Sequence, residues 1–163
     1  MVVVAARYSN HRRPGRTQHV LVTIGGMKKA MLRAYTPCPC GSGATYSVCC
    51  GPWHAGLAED VFAPTPEALM RSRYSAYALG LIDYLLATWH PSTAPGELEL
   101  APVKWLGLDV LQAQASGDAG VVEFVARCRD AGRAQRMHEI SRFVRHGQRW
   151  YYIDGQIIER EQP

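Results

Sequence analysis

Four of the five cysteines fall within thirteen consecutive positions, as Cys38-Pro39-Cys40 and Cys49-Cys50. Four soft thiolates this close are the donor set of a tetrahedral zinc site, and a closed four-ligand shell leaves no open position for a substrate, which points to a structural metal. Gly41, Gly43 and Gly51, with Pro37 and Pro39, supply the turns that let the sulfurs converge. The same donor set also accepts iron. A pair of disulfides fits poorly with an odd count of five cysteines and no recognisable secretion signal. His54, four residues past Cys50, is a further side chain of ligand type. So short a segment cannot hold itself together by burial alone; bound metal would supply its folding free energy, on the order of 10 kcal/mol in small zinc modules.

Elsewhere the chemistry is thinner. Met137, Glu139, Ser141 and Phe143 share one face of an extended segment and His138, Ile140, Arg142 and Val144 the other. Both faces contain apolar residues, so alternation leaves open which turns inward. If Phe143 does, Glu139 goes with it, either as a carboxylate raised in pKa and suited to general-base work or as the partner of Arg71 or Arg73; otherwise it is exposed. Tyr74, Trp105, Glu139 and Phe143 are the candidate lining of an internal cavity, while large aromatics such as Tyr74, Trp89, Trp105 and Trp150 also serve commonly as core. Cys128, in line with Val122, Phe124 and Ala126, reads as a small buried hydrophobe. No nucleophile has an evident triad, and no glycine-rich phosphate loop follows a strand.

The elements that must position these groups follow from local signals. Thr65-Pro66-Glu67 is a helix start, with an N-cap hydroxyl, proline at the first helical position and an early carboxylate. That helix runs to about Leu79 and is closed by Gly80, with Met70, Tyr74, Tyr77 and Leu81 as one apolar stripe flanked by Arg71 and Arg73. Asp83 is placed to cap a short second helix through Trp89, ended by His90-Pro91. From there the pattern turns to strands at Trp105–Ala115, Val121–Cys128, Ala134–Val144 and Arg149–Ile153, whose short glycine-containing connections predict antiparallel hairpins. Helices followed by a run of hairpins is an α+β order with the helices on one face of one sheet.

At 163 residues and 47% apolar side chains the chain holds one core of ordinary size plus a small appendage, and collagen-like, disordered and supercharged classes are excluded. The net charge of +4 is uneven: residues 1–37 hold seven Lys and Arg and no acid, whereas residues 38–163 hold eleven against fourteen acids. Residues 1–30 therefore read as a disordered basic arm, or as a stretch ahead of a later start at Met27 or Met31. No segment reaches the roughly 18 apolar residues of a transmembrane helix, and a cytoplasmic protein is expected.

Cys38-Pro-Cys-Gly-Ser-Gly through Cys49-Cys50-Gly51 resembles the SEC-C metal-binding motif, the module at the C-terminus of the SecA translocase, whose fourth ligand is His where this chain has Cys50. Ala68-Leu-Met-Arg-Ser-Arg-Tyr-Ser-Ala-Tyr, Asp83-Tyr-Leu-Leu-Ala-Thr-Trp-His-Pro-Ser, Trp105-Leu-Gly-Leu, Ser141-Arg-Phe and Trp150-Tyr-Tyr-Ile-Asp-Gly resemble the YchJ family of small bacterial proteins. The resemblance implies a SEC-C module over residues 35–58 with Cys38, Cys40, Cys49 and Cys50 as ligands. It also implies a cone-shaped domain of the nuclear-transport-factor-2-like (NTF2-like) fold over residues 65–158, helices packed on a curved antiparallel sheet.

The role expected from this combination is an interaction protein whose zinc knuckle contacts a protein, ribonucleoprotein or membrane-surface partner. Lys28, Lys29 and Arg33 flank the knuckle, but four thiolates around one divalent ion leave two negative charges of their own, so nucleic-acid binding is weakly supported. The alternative is small-molecule binding or catalysis in the cone interior.

Overall fold

The computed structural model describes residues 36–159; the basic arm expected at residues 1–30, Lys28, Lys29, Arg33 and Tyr35 lie outside the described residues. The chain opens with a tight loop closed by a bridge between Pro37 and Thr45. A single 3-10 turn follows at Tyr46–Val48, then helix α1 at Gly51–Ala55 and a second 3-10 turn at Gly56–Glu59. Helices α2, Pro66–Leu79, and α3, Ile82–Ala87, precede four strands: β1 Lys104–Ser116, β2 Ala119–Asp130, β3 Arg133–His146 and β4 Arg149–Ile157.

Helix α2 has the expected ends. Thr65 Oγ1 accepts from the Ala68 amide at 3.0 Å. Gly80, at φ 72°, lets the Leu81 amide reach back to Ala76 O at 2.9 Å, the pairing that ends a helix in the left-handed conformation. The buried surface of α2 is wider than the expected stripe, however. Met70 and Tyr74 are buried with Leu69, Ser72, Arg73, Ser75 and Ala76, while Tyr77 and Leu81 are only half-buried. Two partners cause this, since α2 packs on the sheet with one side and on the cysteine loop with another.

Helix α3 departs from expectation at both ends. Leu81, not Asp83, holds the N-cap position, without a side-chain hydrogen bond, and Asp83 sits inside the first turn. The helix also stops short of Trp89, because that backbone joins β4: the Tyr152 amide donates to Thr88 O at 2.9 Å and the His90 amide to Tyr152 O at 2.7 Å.

The sheet is an antiparallel meander, β1-β2-β3-β4. Ala131-Gly132, both at positive φ, close the middle hairpin in the left-handed backbone that such tight turns need. Extra residues bulge the edge strands, Leu106 and Leu111 on β1 and Ile153 on β4, and such bulges bend and twist a strand. The inward face carries Val122, Phe124, Ala126 and Cys128 of β2, Ser141 and Phe143 of β3, and Trp150 of β4. The face of β3 that alternation left open is thus the Glu139, Ser141 and Phe143 face. One buried cluster unites Cys38, Cys40 and Cys50 with Leu69, Tyr74, Leu108, Phe124, Phe143 and Trp150, so the cysteine loop and the sheet share a core.

Candidate metal centre

The loop that carries the cysteines is built by backbone chemistry. The Cys38 amide donates to Ala44 O and the Gly41 amide to Cys38 O, folding Cys38 and Cys40 into a knuckle whose turn needs Gly41 and Gly43, at φ 73° and 82°. Cys49 and Cys50 enter from the 3-10 turn. Gly51 is obligatory there, because a Cβ at that position would lie 2.6 Å from Tyr46 O.

The four sulfurs lie within 4.8 Å of one another and could hold a metal ion. Cys40 and Cys49 are 3.5 Å apart and Cys49 and Cys50 3.9 Å. Sulfurs at the corners of a tetrahedron with metal–sulfur bonds of about 2.3 Å would be about 3.8 Å apart, a spacing that these two separations bracket. All five cysteines are free thiols, and these separations are far from the 2.05 Å or so of a disulfide. The Cys38 thiol is held far below its ordinary range by hydrogen bonds from Cys40 and Cys50. Cys50, in contact with Cys38 and Cys40 and buried, is pushed far above it. Thiols this close cannot all ionise without a cation, and a bound cation would release their protons.

Residues outside the motif complete the site. Ser75 of α2 lies 3.5 Å from Cys38 Sγ and donates to Cys50 Sγ at 3.3 Å; Ser42 lies 3.1 Å from Cys49 Sγ. Arg71 donates to Cys40 O at 3.2 Å and to Glu67 at 2.8 Å. His54 has both ring nitrogens engaged, Nδ1 with the Tyr46 hydroxyl at 2.7 Å and Nε2 with Ser72 O at 2.9 Å. It is a strut between the knuckle and α2, and burial lowers its pKa.

The four residues expected to line a cavity are packed against neighbouring side chains, Tyr74 and Trp105 against each other and Glu139 and Phe143 both against Tyr152. Tyr74 is buried edge-on to Trp105, with ring centroids 5.3 Å apart, and burial pushes its hydroxyl up to about 12. Trp105 is half-buried between Tyr74 and Tyr77. Phe143 packs against Tyr152. Glu139 Oε1 accepts from Ser141 at 2.6 Å and from the Tyr152 hydroxyl at 3.5 Å, and its side chain fills the space that a Cβ at Gly155 would occupy. Among the described residues neither arginine considered as its partner forms a direct ion pair with it. Arg71 pairs with Glu67, and the buried Arg73 donates to Leu85 O and Thr88 Oγ1 between the rings of Trp89 and Tyr152. A small crevice does exist, with space for about one water, but it lies between Trp53, Leu57, Phe62, Tyr84, Arg149 and Trp150, away from those four.

Burial is the largest influence on Glu139 and raises its pKa, against the opposing pull of Ser141 and Arg73. The folded state thus holds a proton that the unfolded chain releases, and stability is lost as pH rises through and above the ordinary carboxylate range. Glu139→Gln, which keeps the shape without the charge, is expected to gain in melting temperature relative to the parent as pH rises from acid to neutral. Parallel pH dependences of the two proteins would show that the carboxylate carries no such penalty.

The comparisons with known proteins agree with this architecture. The model of the YchJ middle NTF2-like domain matches residues 65–155, and that of the SEC-C motif matches residues 36–52. A UPF0225 protein of Bordetella pertussis is 59% identical over 123 residues, 74% of this chain and 92% of that one. Another, from Chromobacterium violaceum, is 54% identical over 136 residues, 79% and 98%. The solution structure of a SEC-C motif containing protein from Rhodopseudomonas palustris superposes with a TM-score of 0.66 at 41% identity, over 75% of this chain and 98% of that one. With a four-cysteine knuckle packed on helices and an antiparallel meander, the chain belongs to the YchJ (UPF0225) family, joining a SEC-C motif to an NTF2-like domain.

Proposed function

We propose that Cys38, Cys40, Cys49 and Cys50 bind one structural zinc ion, and that the stiffened knuckle presents its outer lip to a protein partner. The observation that carries this reading is the character of that lip. Residues 36–58 contain no Lys, Arg, Asp or Glu. Gly41, Ser42, Gly43, Thr45 and Ser47 are exposed, and Val48 stands out at 74% exposure. Small polar groups around one protruding apolar side chain suit a protein surface. Phosphates of RNA or lipid would instead face the two net negative charges of a zinc tetrathiolate with no Lys or Arg in the segment, and Arg71, which reaches Cys40 O, is already paired with Glu67.

Zinc is the usual ion of structural four-thiolate knuckles and iron the other this donor set accepts, so metal quantification on the purified chain decides between them. Ligand chemistry in the cone interior would rest on Glu139, whose carboxylate is already occupied by Ser141 and Tyr152. The test is quantitative affinity capture with the intact chain beside Val48→Asp, with metal content measured in both. The expected result is a protein partner held by the parent and lost by the variant at equal metal content. Retention of the same partners by Val48→Asp overturns the reading.

A further inference from the structure

We propose that Cys49 is a site of oxidation by peroxides and that Cys40 captures the oxidised sulfur as a disulfide, opening the metal site; this rests on the metal-bound reading above. The four thiols are not equivalent. Of the five cysteines only Cys49 is not buried. Cys38, Cys40 and Cys50 are all buried, and Cys38 and Cys50 also contact the buried Ser75 hydroxyl at 3.5 and 3.3 Å. Cys49 is instead approached from outside by the exposed Ser42 hydroxyl at 3.1 Å, beside the protruding Val48. A peroxide arriving from solvent therefore meets the Cys49 sulfur first.

The geometry also favours Cys40 over Cys50 as the second partner. Cys40 Sγ lies 3.5 Å from Cys49 Sγ, closer than Cys50 Sγ at 3.9 Å. Consecutive Cα atoms stand about 3.8 Å apart, below the 4.4 Å or so at which ordinary disulfides begin, so pairing Cys49 with its neighbour Cys50 is disfavoured. Between Cys40 and Cys49 lie eight residues, among them Gly41, Ser42, Gly43 and Ser47, which give the loop room to close the remaining gap.

The chemistry balances with hydrogen peroxide as oxidant. The Cys49 thiolate attacks the O–O bond, gaining a hydroxyl group as hydroxide departs and is protonated to water. The Cys40 thiolate then attacks the resulting sulfenic sulfur; an S–S bond forms, the S–O bond breaks, and a second hydroxide is protonated. Two sulfurs give up two electrons, the peroxide is reduced to two waters, and the oxidation state of the bound ion is unchanged. The site then keeps only Cys38 and Cys50, too few ligands to retain it.

The test uses the full-length, metal-loaded chain. Metal content is measured first, then peroxide is added while released ion is followed with a chromogenic chelator and disulfides are mapped by differential alkylation and mass spectrometry. The expected course is release of the ion in step with a Cys40–Cys49 disulfide, reversed by a reductant and added metal. Cys49→His, which keeps a four-donor site but removes the exposed sulfur, should release its ion about tenfold more slowly. Release accompanied first by a Cys38–Cys50 disulfide, or no release at peroxide levels that oxidise a free thiol, overturns the inference while leaving the metal reading intact. Absence of metal from the freshly purified chain overturns the metal reading itself.

Discussion

Removing the metal is expected to lower the melting temperature of the whole chain by on the order of 10 °C or more, and to unsettle α2 as well as the knuckle. Cys38, Cys40 and Cys50 belong to the same buried cluster as Leu69, Tyr74, Phe124 and Trp150, so the ion would be tied into the core. Apparent binding free energies of structural zinc, roughly 10–16 kcal/mol in small modules, are comparable to the roughly 5–15 kcal/mol that hold a whole domain together. Without the ion, buried thiols must share protons with only Ser75 and one another for partners. Thermal unfolding with and without a strong chelator, with hydrogen exchange to locate the loss, checks this. Protection should fall in α1 and around Ser72 and Ser75, and zinc should restore it. A metal-free chain that melts where the loaded one does would show that the knuckle is held by packing alone.

Phe143→Ala is expected to cost about 3–5 kcal/mol, the range for truncating an aromatic in a closed core. Phe143 is 2% exposed, on the inward face of β3, and meets Tyr152 at a centroid distance of 5.8 Å. Trp150 and Leu69 share its cluster. An aromatic lining an open ligand cavity would leave water or ligand to fill the gap and would cost much less, about 1 kcal/mol. Denaturant unfolding measures the difference directly. A small loss would favour a ligand-binding interior; a large one places Phe143 in the structural core.

The parts of the molecule legible in the sequence are those determined within a few residues. Thr65, Pro66 and Gly80 mark the ends of α2 because capping and left-handed turns are local chemistry. The hairpin connections are likewise where their glycines put them. Asp83 misled for the same reason: a good capping residue was available, but the chain already turned at Gly80 and Leu81, so the helix began two residues earlier. Trp89 carried a helical pattern that a non-local strand bridge to Tyr152 overrode.

The cysteine spacing by itself determined the four-thiol cluster that could hold a metal ion, since Cys-x-Cys and Cys-Cys across a glycine-rich turn can converge with little help from elsewhere. The order of helices and hairpins likewise determined the α+β class. Only the tertiary structure decided which face of β3 is inward, that Glu139 settles on Ser141 and Tyr152 without a direct ion pair to Arg71 or Arg73, and that His54 braces α2. It also decided that Ser75, 37 residues from Cys38, supports the inner thiols while Cys49 is left half-exposed. Those outcomes depend on burial and on contacts between distant segments, which residue type and spacing along the chain do not encode.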